Sequence, residues 1–121
     1  MKSFMCLAML CAAAITAFAA DISGTWKGTA ETENGTIERT FNFKVDGNKL
    51  TGDTASNNFG KADIQDGKIE GDNISFTLIL HIQGNDAKVN YKGKVEGDTI
   101  KFTVEVEGFD QSLQMIAKRV S

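Results

Sequence analysis

The side chains of this sequence that could carry chemistry are few and widely spaced. His81 is the one histidine of the chain, and no nucleophilic residue stands at a spacing that would complete a catalytic triad with it. Both cysteines, Cys6 and Cys11, lie in the first twenty residues, so the rest of the chain lacks the ligands of a zinc site. We therefore expect a protein that is not an enzyme and that has no catalytic residue, no bound metal and no cofactor.

Carboxylates cluster at three predicted tight turns, and their role has two interpretations. They either share a calcium ion or are solvated residues that favour turns. An enzyme that uses these carboxylates is a further hypothesis. The residues are Asp46, Glu70, Asp72, Glu96 and Asp98.

Arg39 and Tyr91 stand at positions that strand alternation predicts to face the core. A cation that points into a barrel costs several kcal/mol unless it is paired. Arg39 therefore either anchors a ligand carboxylate or extends to water from a frayed strand end. The Tyr91 hydroxyl either faces a cavity or bonds to a neighbour in a filled core. We treat both residues as candidate ligand-binding residues.

An internal repeat organises the elements that must position these side chains. Residues 67–77, GKIEGDNISFT, return almost unchanged as residues 93–103, GKVEGDTIKFT, and residues 45–52 form a weaker third copy. Each copy contains a two-residue Gly-Asp or Gly-Asn loop, which suits a type II′ or type I′ turn. Such turns make the flanking apolar residues direct cross-strand partners. The predicted pairs are Val45 with Leu50, Ile69 with Ile74, and Val95 with Ile100.

Period-two alternation runs through the chain from Ile22, and proline is absent. It predicts eight strands at residues 22–33, 36–46, 49–56, 60–70, 73–83, 86–96, 99–108 and 112–120. Asn34–Gly35 and Gly84–Asn85 are predicted as further hairpin turns. The odd spacing of Ile64 and Ile69 predicts a β-bulge at Asp66–Gly67, because an extra residue keeps both side chains on one face.

Eight antiparallel strands with one apolar face each require a cover for that face. No helical pattern supplies one, so the fold class is predicted to be all-β, an eight-stranded up-and-down meander barrel that closes on itself. A two-sheet β-sandwich is the alternative, although its crossing connections usually need longer loops. The last strand has two possible registers, of which we expect the one that faces four residues inward rather than its opposite: Leu113, Met115, Ala117 and Arg119.

The N-terminal segment predicts export. Residues 1–20 combine Lys2, an apolar run from Phe4 to Ala14 and the small-residue site Ala17-Phe18-Ala19, which is the pattern of a secretory signal peptide. This leaves residues 21–121 as a single secreted domain, periplasmic or extracellular. The run is too short for a membrane span. With 13 basic and 16 acidic residues interspersed and a net charge of −3, the chain has no footprint for nucleic acid.

The segment Gly24-Thr25-Trp26 resembles the first strand of the calycin barrels, which include lipocalins, avidins and fatty-acid-binding proteins. The pattern is also similar to that of small secreted bacterial domains with Gly-Thr-Trp and Asp-Gly-Asn-Lys-Leu-Thr-Gly. The calycin resemblance implies that Trp26 lies at the closed end and that a basic residue of the last strand packs across its indole, with Arg119 the first candidate and Lys118 the second. A ligand mouth is then expected at the opposite rim.

Two functions follow as expectations. The first is a barrel that binds a small apolar or amphipathic ligand in its upper interior. The second is a filled-core module that contacts a protein or glycan through rim loops or outer strands. Small inward residues at 24, 28, 30, 52, 62 and 93 either leave a cavity or complement large side chains. The sequence indicates neither the ligand nor the oligomeric state. The predicted ligand-binding residues are Arg39, Tyr91, Phe59, Leu80, Ile82, Val104, Val106 and Phe109.

Overall fold

The computed structural model describes residues 21–33, 35–56, 60–82 and 84–120, and of Ile82 the backbone alone. The predicted signal peptide, residues 1–20, lies outside this part of the chain. The described residues form nine strands and no helix. The strands are β1 (Gly24–Thr32), β2 (Gly35–Asp46), β3 (Lys49–Ser56), β4 (Gly60–Asp63), β5 (Gln65–Glu70), β6 (Asn73–Ile82), β7 (Asn85–Glu96), β8 (Thr99–Val106) and β9 (Ser112–Arg119).

The strands close into an antiparallel barrel. Consecutive strands pair along the chain, except that β4 and β5 both pair with β3 and not with each other. β1 also pairs with β9 through Trp26–Thr29 and Ile116–Arg119. First and last strands therefore meet, which confirms the predicted barrel and excludes the sandwich alternative. In β9 the buried side chains are Met115 and Ala117, so the predicted inward register of this strand is confirmed.

The predicted fourth strand, residues 60–70, is divided into β4 and β5 at Ile64. Its amide donates to the carbonyl oxygen of Gly52 over 3.0 Å. β4 pairs with the second half of β3, whereas β5 pairs with the start of β3 and with β6. The β5–β6 register shifts between Gln65 and Lys68, and Asp66 has a φ of 51°. The predicted bulge is thus confirmed, and the barrel has eight strands plus one extra.

The repeat positions form the hairpins that their sequence predicts. Val45 lies opposite Leu50, Ile69 opposite Ile74, and Val95 opposite Ile100. The loop glycines at 47, 71 and 97 have φ values of 64°, 62° and 65°. Among the described residues Asp66 is the one non-glycine with positive φ, so the second loop residue of these turns is not left-handed. This combination selects type II′ over type I′.

The two other hairpin turns lie one residue earlier than predicted. The β1–β2 ladder continues to Thr32 paired with Gly35, so Gly35 lies in the ladder rather than in the turn. The Thr32 hydroxyl donates to the Gly35 carbonyl oxygen over 2.8 Å and extends this end of the hairpin. Asn85 likewise pairs with Ile82, so it lies in the β6–β7 ladder rather than in the turn, and Gly84 has a φ of 82°.

An aromatic cluster fills the middle of the barrel. Neighbouring ring centroids lie 4.9 to 6.0 Å apart, a spacing typical of favourable aromatic pairs. A Cβ at Gly28 would lie 2.8 Å from the Phe41 ring, and one at Gly93 would lie 2.7 Å from the Phe102 ring. At these two positions the small residue therefore complements a large one and leaves no void. The cluster consists of Phe41, Phe43, Phe76, Tyr91 and Phe102.

Candidate functional site

Arg39 lies inside the barrel, on the rim side of the aromatic cluster. It follows the inward alternation of β2, two residues before Phe41, and only 2 % of its surface is exposed. Its Nη1 donates to the Thr54 hydroxyl over 2.7 Å, and that hydroxyl donates to the Ala62 carbonyl oxygen over 3.0 Å. Burial excludes the alternative in which Arg39 extends to water. The strand is not frayed there, because Arg39 is paired on both sides, with Gly28 and Ser56.

Tyr91 brings its phenol to the same polar layer from β7. Its ring stacks on Phe76 with centroids 4.9 Å apart, and the residue is 3 % exposed. Burial raises the pKa of Tyr91, and the charge of Arg39 partly opposes this increase. Burial likewise lowers the pKa of Arg39, and Tyr91 partly opposes that decrease. The two side chains are thus electrostatic neighbours in a setting that disfavours both charged forms.

The Nη2 atom of Arg39 is buried and has no hydrogen-bond partner among the described residues. A buried donor without a partner costs about 1–3 kcal/mol, and more when it belongs to a charged group. A carboxylate or another oxygen acceptor that reached this nitrogen would recover that cost through a charge-assisted hydrogen bond. Arg39, Thr54 and Tyr91 together could therefore recognise an acidic or carbonyl group of a small molecule.

The raised pKa of Tyr91 predicts a loss of stability in alkali. Because the folded-state pKa lies above the unfolded value of about 10, the contribution is complete below that pH and is lost as pH rises through the folded pKa. We expect the free energy of unfolding to fall with pH from about 10 upward, and Tyr91→Phe to remove most of that fall. Urea unfolding across this range measures it. A wild-type profile that matched the variant's would contradict the prediction.

A cleft of about 680 Å³ opens at the rim end between β1 and β9. Its walls include the inward residues Val104, Val106 and Leu113. Phe109 also lines it and is 72 % exposed. Three predicted ligand-binding residues, Val104, Val106 and Phe109, are therefore brought together in this cleft.

The other predicted site residues are distributed differently. Leu80 is buried in the core and does not line the cleft. Phe59 and the side chain of Ile82 lie outside the described part of the chain. Sequence reasoning missed the role of Thr54, whose hydroxyl holds Arg39, although its inward position on a strand of otherwise apolar inward residues was a signal. It also missed Leu113 and Glu31 as cleft residues, because their proximity depends on how β1 and β9 diverge.

The closed end contains the predicted contact between Trp26 and Arg119. The guanidinium carbon lies 4.5 Å from the indole centroid, and the indole N–H donates to the Ile22 carbonyl oxygen over 2.9 Å. Arg119 also donates to the Asp98 carboxylate and to the main-chain carbonyls of residues 21 and 23, over 3.0 to 3.1 Å. Trp26 and Ile22 are fully buried. This end of the barrel is closed by buried side chains. Each of the three guanidinium nitrogens of Arg119 donates to a partner.

Within the described ranges there is no group of three or more histidine, cysteine or acidic side chains that could hold a metal ion. The Nδ1 atom of the exposed His81 side chain contacts the Asp86 carboxylate on the outer surface. The described residues contain no helix of the length and apolar character that a membrane span requires. Comparison of the chain with protein-family models, with curated proteins and with solved structures finds no match, so the calycin resemblance stays a prediction.

Proposed function

We propose that this protein is a secreted, non-enzymatic, calycin-like barrel that binds a small amphipathic molecule in its upper interior, with the acidic group of that molecule at Arg39. The observation that carries the proposal is the buried Nη2 of Arg39 without a partner among the described residues. The sequence keeps a charged donor in the core at a cost to folding, where Met or Leu would fill similar space without that cost. A ligand with a hydrogen-bond acceptor would supply the missing partner of this nitrogen.

The surroundings of Arg39 support an amphipathic rather than a purely polar ligand. Below it the aromatic cluster fills the barrel, so a ligand has room only on the rim side. There the inward side chains include Val104 and Val106, which are apolar. A carboxylate beside Arg39 with an apolar body toward the rim satisfies both chemistries.

Arg39→Met is expected to weaken binding of a fluorescent fatty-acid analogue by at least about tenfold, because it removes a charge-assisted hydrogen bond worth about 1.5–3 kcal/mol. The methyl ester of the analogue lacks the carboxylate and should bind wild type and variant alike. Titrations that follow probe fluorescence, with displacement by unlabelled fatty acid, measure both. Lys27→Met, which removes the same charge from an exposed outer position, should leave both affinities unchanged.

Two outcomes would count against this function. If wild type took up no displaceable probe, and Leu80→Trp were as stable as wild type, the upper interior would have no functional role as a binding site. If Arg39→Met weakened the acid and the ester equally, the arginine would not be the anchor.

A contact function is the second candidate, supported by apolar side chains on the outside. Phe109 at the rim is 72 % exposed, and Ile116 on the outer face of β9 is 39 % exposed. Exposed apolar residues of this kind are common at protein contacts.

A further inference from the structure

The wall of the barrel is open between the rim ends of β1 and β9. Pairing between these strands is confined, in the described residues, to Trp26–Thr29 with Ile116–Arg119. Above Thr29, β1 continues to Thr32 in its ladder with β2, and β9 begins at Ser112 in its ladder with β8. If the β1–β9 ladder continued in the same register, Glu31 would lie opposite Gln114. We call this gap, with Glu31 on one side and residues 112–114 on the other, the open seam.

Main-chain groups point into the open seam. The Val120 amide donates to the Thr25 carbonyl oxygen over 2.8 Å, which shows that the odd-numbered residues of β1 and the even-numbered residues of β9 face one another. The alternation of an antiparallel ladder then directs the N–H and C=O groups of Glu31, Gln114 and Ser112 into the gap. A row of such groups on a strand edge is a template for pairing with another extended chain.

The side chains around the open seam indicate which extended chain fits. On the interior side are the apolar residues Val104, Val106 and Leu113, and on the outer side are the carboxylates of Glu31 and Glu33. The residues that line this cleft include two acidic and no basic side chains. An extended chain presents alternate side chains to opposite faces, so apolar residues can face inward while lysine or arginine faces the carboxylates.

We propose that the open seam binds an extended cationic segment of a partner protein, which pairs as an added strand with β9 at Ser112 and Gln114. Its apolar side chains lie against Val104, Val106 and Leu113, and its basic side chains meet Glu31 and Glu33. An anionic amphiphile fits this position poorly, because both carboxylates repel it and it has no amides to pair with the strand edge. The proposal does not require the ligand site at Arg39, although both sites include Val104 and Val106.

Titration of the secreted form of the protein with a capped hexapeptide of alternating lysine and valine tests this, with amide resonances and hydrogen exchange as readouts. We expect saturable shifts at Glu31, Ser112 and Gln114, and exchange of the Gln114 amide slowed by at least about tenfold on pairing. The same peptide with glutamate for lysine, or with alternate backbone amides N-methylated, should bind at least about tenfold more weakly. Arg39→Met should bind the lysine peptide as wild type does.

The double variant E31K/E33K provides the matched control, since both side chains are exposed and the change reverses charge without touching the apolar wall. It should prefer the glutamate peptide. Several outcomes overturn the proposal: equal binding of the two peptides, shifts confined to the acidic turns at the opposite end, or unchanged exchange at Gln114. Displacement of the peptide by a fatty acid with the same shifts would also overturn it, because the open seam would then be part of the small-molecule site.

Discussion

Gly52→Ala is expected to leave the barrel largely unfolded. A Cβ at this position would lie 1.9 Å from the carbonyl oxygen of Asn42 and 3.0 Å from its carbon, and both are main-chain atoms that cannot rotate away. Gly52 also has a φ of 137°, which a residue with a Cβ rarely adopts. A loss above about 4 kcal/mol is exceptional for one substitution, and here it would consume much of the roughly 5–15 kcal/mol that stabilises a typical domain.

Gly47→Ala is the matched control for this prediction. Gly47 also has positive φ, at 64°, but a Cβ placed on it would have no heavy atom of the described residues within 4 Å beyond its chain neighbours. Alanine there meets only backbone strain, so we expect a loss of about 1–2 kcal/mol. Urea unfolding followed by the fluorescence of Trp26, the one tryptophan, compares the two variants. Equal losses in both would contradict the close-approach argument.

Gly52 also illustrates what the sequence could and could not predict. Its inward position followed from alternation, and one interpretation of inward glycines was a cavity. The structure instead brings the β2 backbone against it, at the point where β3 changes partner from β5 to β4. Alternation predicts which face a residue lies on, but a void and a close main-chain contact both require a small residue. Only the three-dimensional path of β2 distinguishes them.

Local sequence signals predicted the fold well but missed the site, because they describe only residues that are close together in the sequence. The pairs Val45–Leu50 and Ile69–Ile74 follow from two-residue loops, so residues close in sequence determine them. The environment of Arg39 instead depends on Thr54 and Tyr91, which lie 15 and 52 positions away along the chain. The divergence of β1 and β9 likewise depends on closure of the whole barrel. Such long-range arrangements have no local pattern from which to predict them.

Replacing the two inward arginines by methionine is expected to change stability in opposite directions. Arg119→Met should lower the free energy of unfolding by about 2–4 kcal/mol, since it removes charge-assisted hydrogen bonds to Asp98 and two carbonyls together with the contact over Trp26. This loss is modest for so many contacts, because the Arg119 side chain is 28 % exposed and solvent weakens its ion pair.

Arg39→Met should raise the free energy of unfolding by about 1–2 kcal/mol in the absence of ligand. Methionine removes the buried donor without a partner and fills similar volume with an adaptable apolar side chain. The lost bond to Thr54 costs little, because that hydroxyl still donates to the Ala62 carbonyl oxygen. Urea unfolding of both variants beside wild type measures the two changes. A loss of stability in Arg39→Met comparable to that in Arg119→Met would show that the charge at residue 39 supports the fold.

The sign of the Arg39→Met effect links folding to the proposed function. A ligand that binds only the folded state stabilises it by RT ln(1 + [L]/Kd), which is about 2.7 kcal/mol at a hundredfold excess over Kd. A variant that binds tenfold more weakly is stabilised by only about 1.4 kcal/mol at the same concentration. Fatty acid should therefore reduce or cancel the stability advantage of Arg39→Met over wild type. If the difference in stability between Arg39→Met and wild type were the same with and without fatty acid, the cost of burying Arg39 would have to be explained by something other than this ligand.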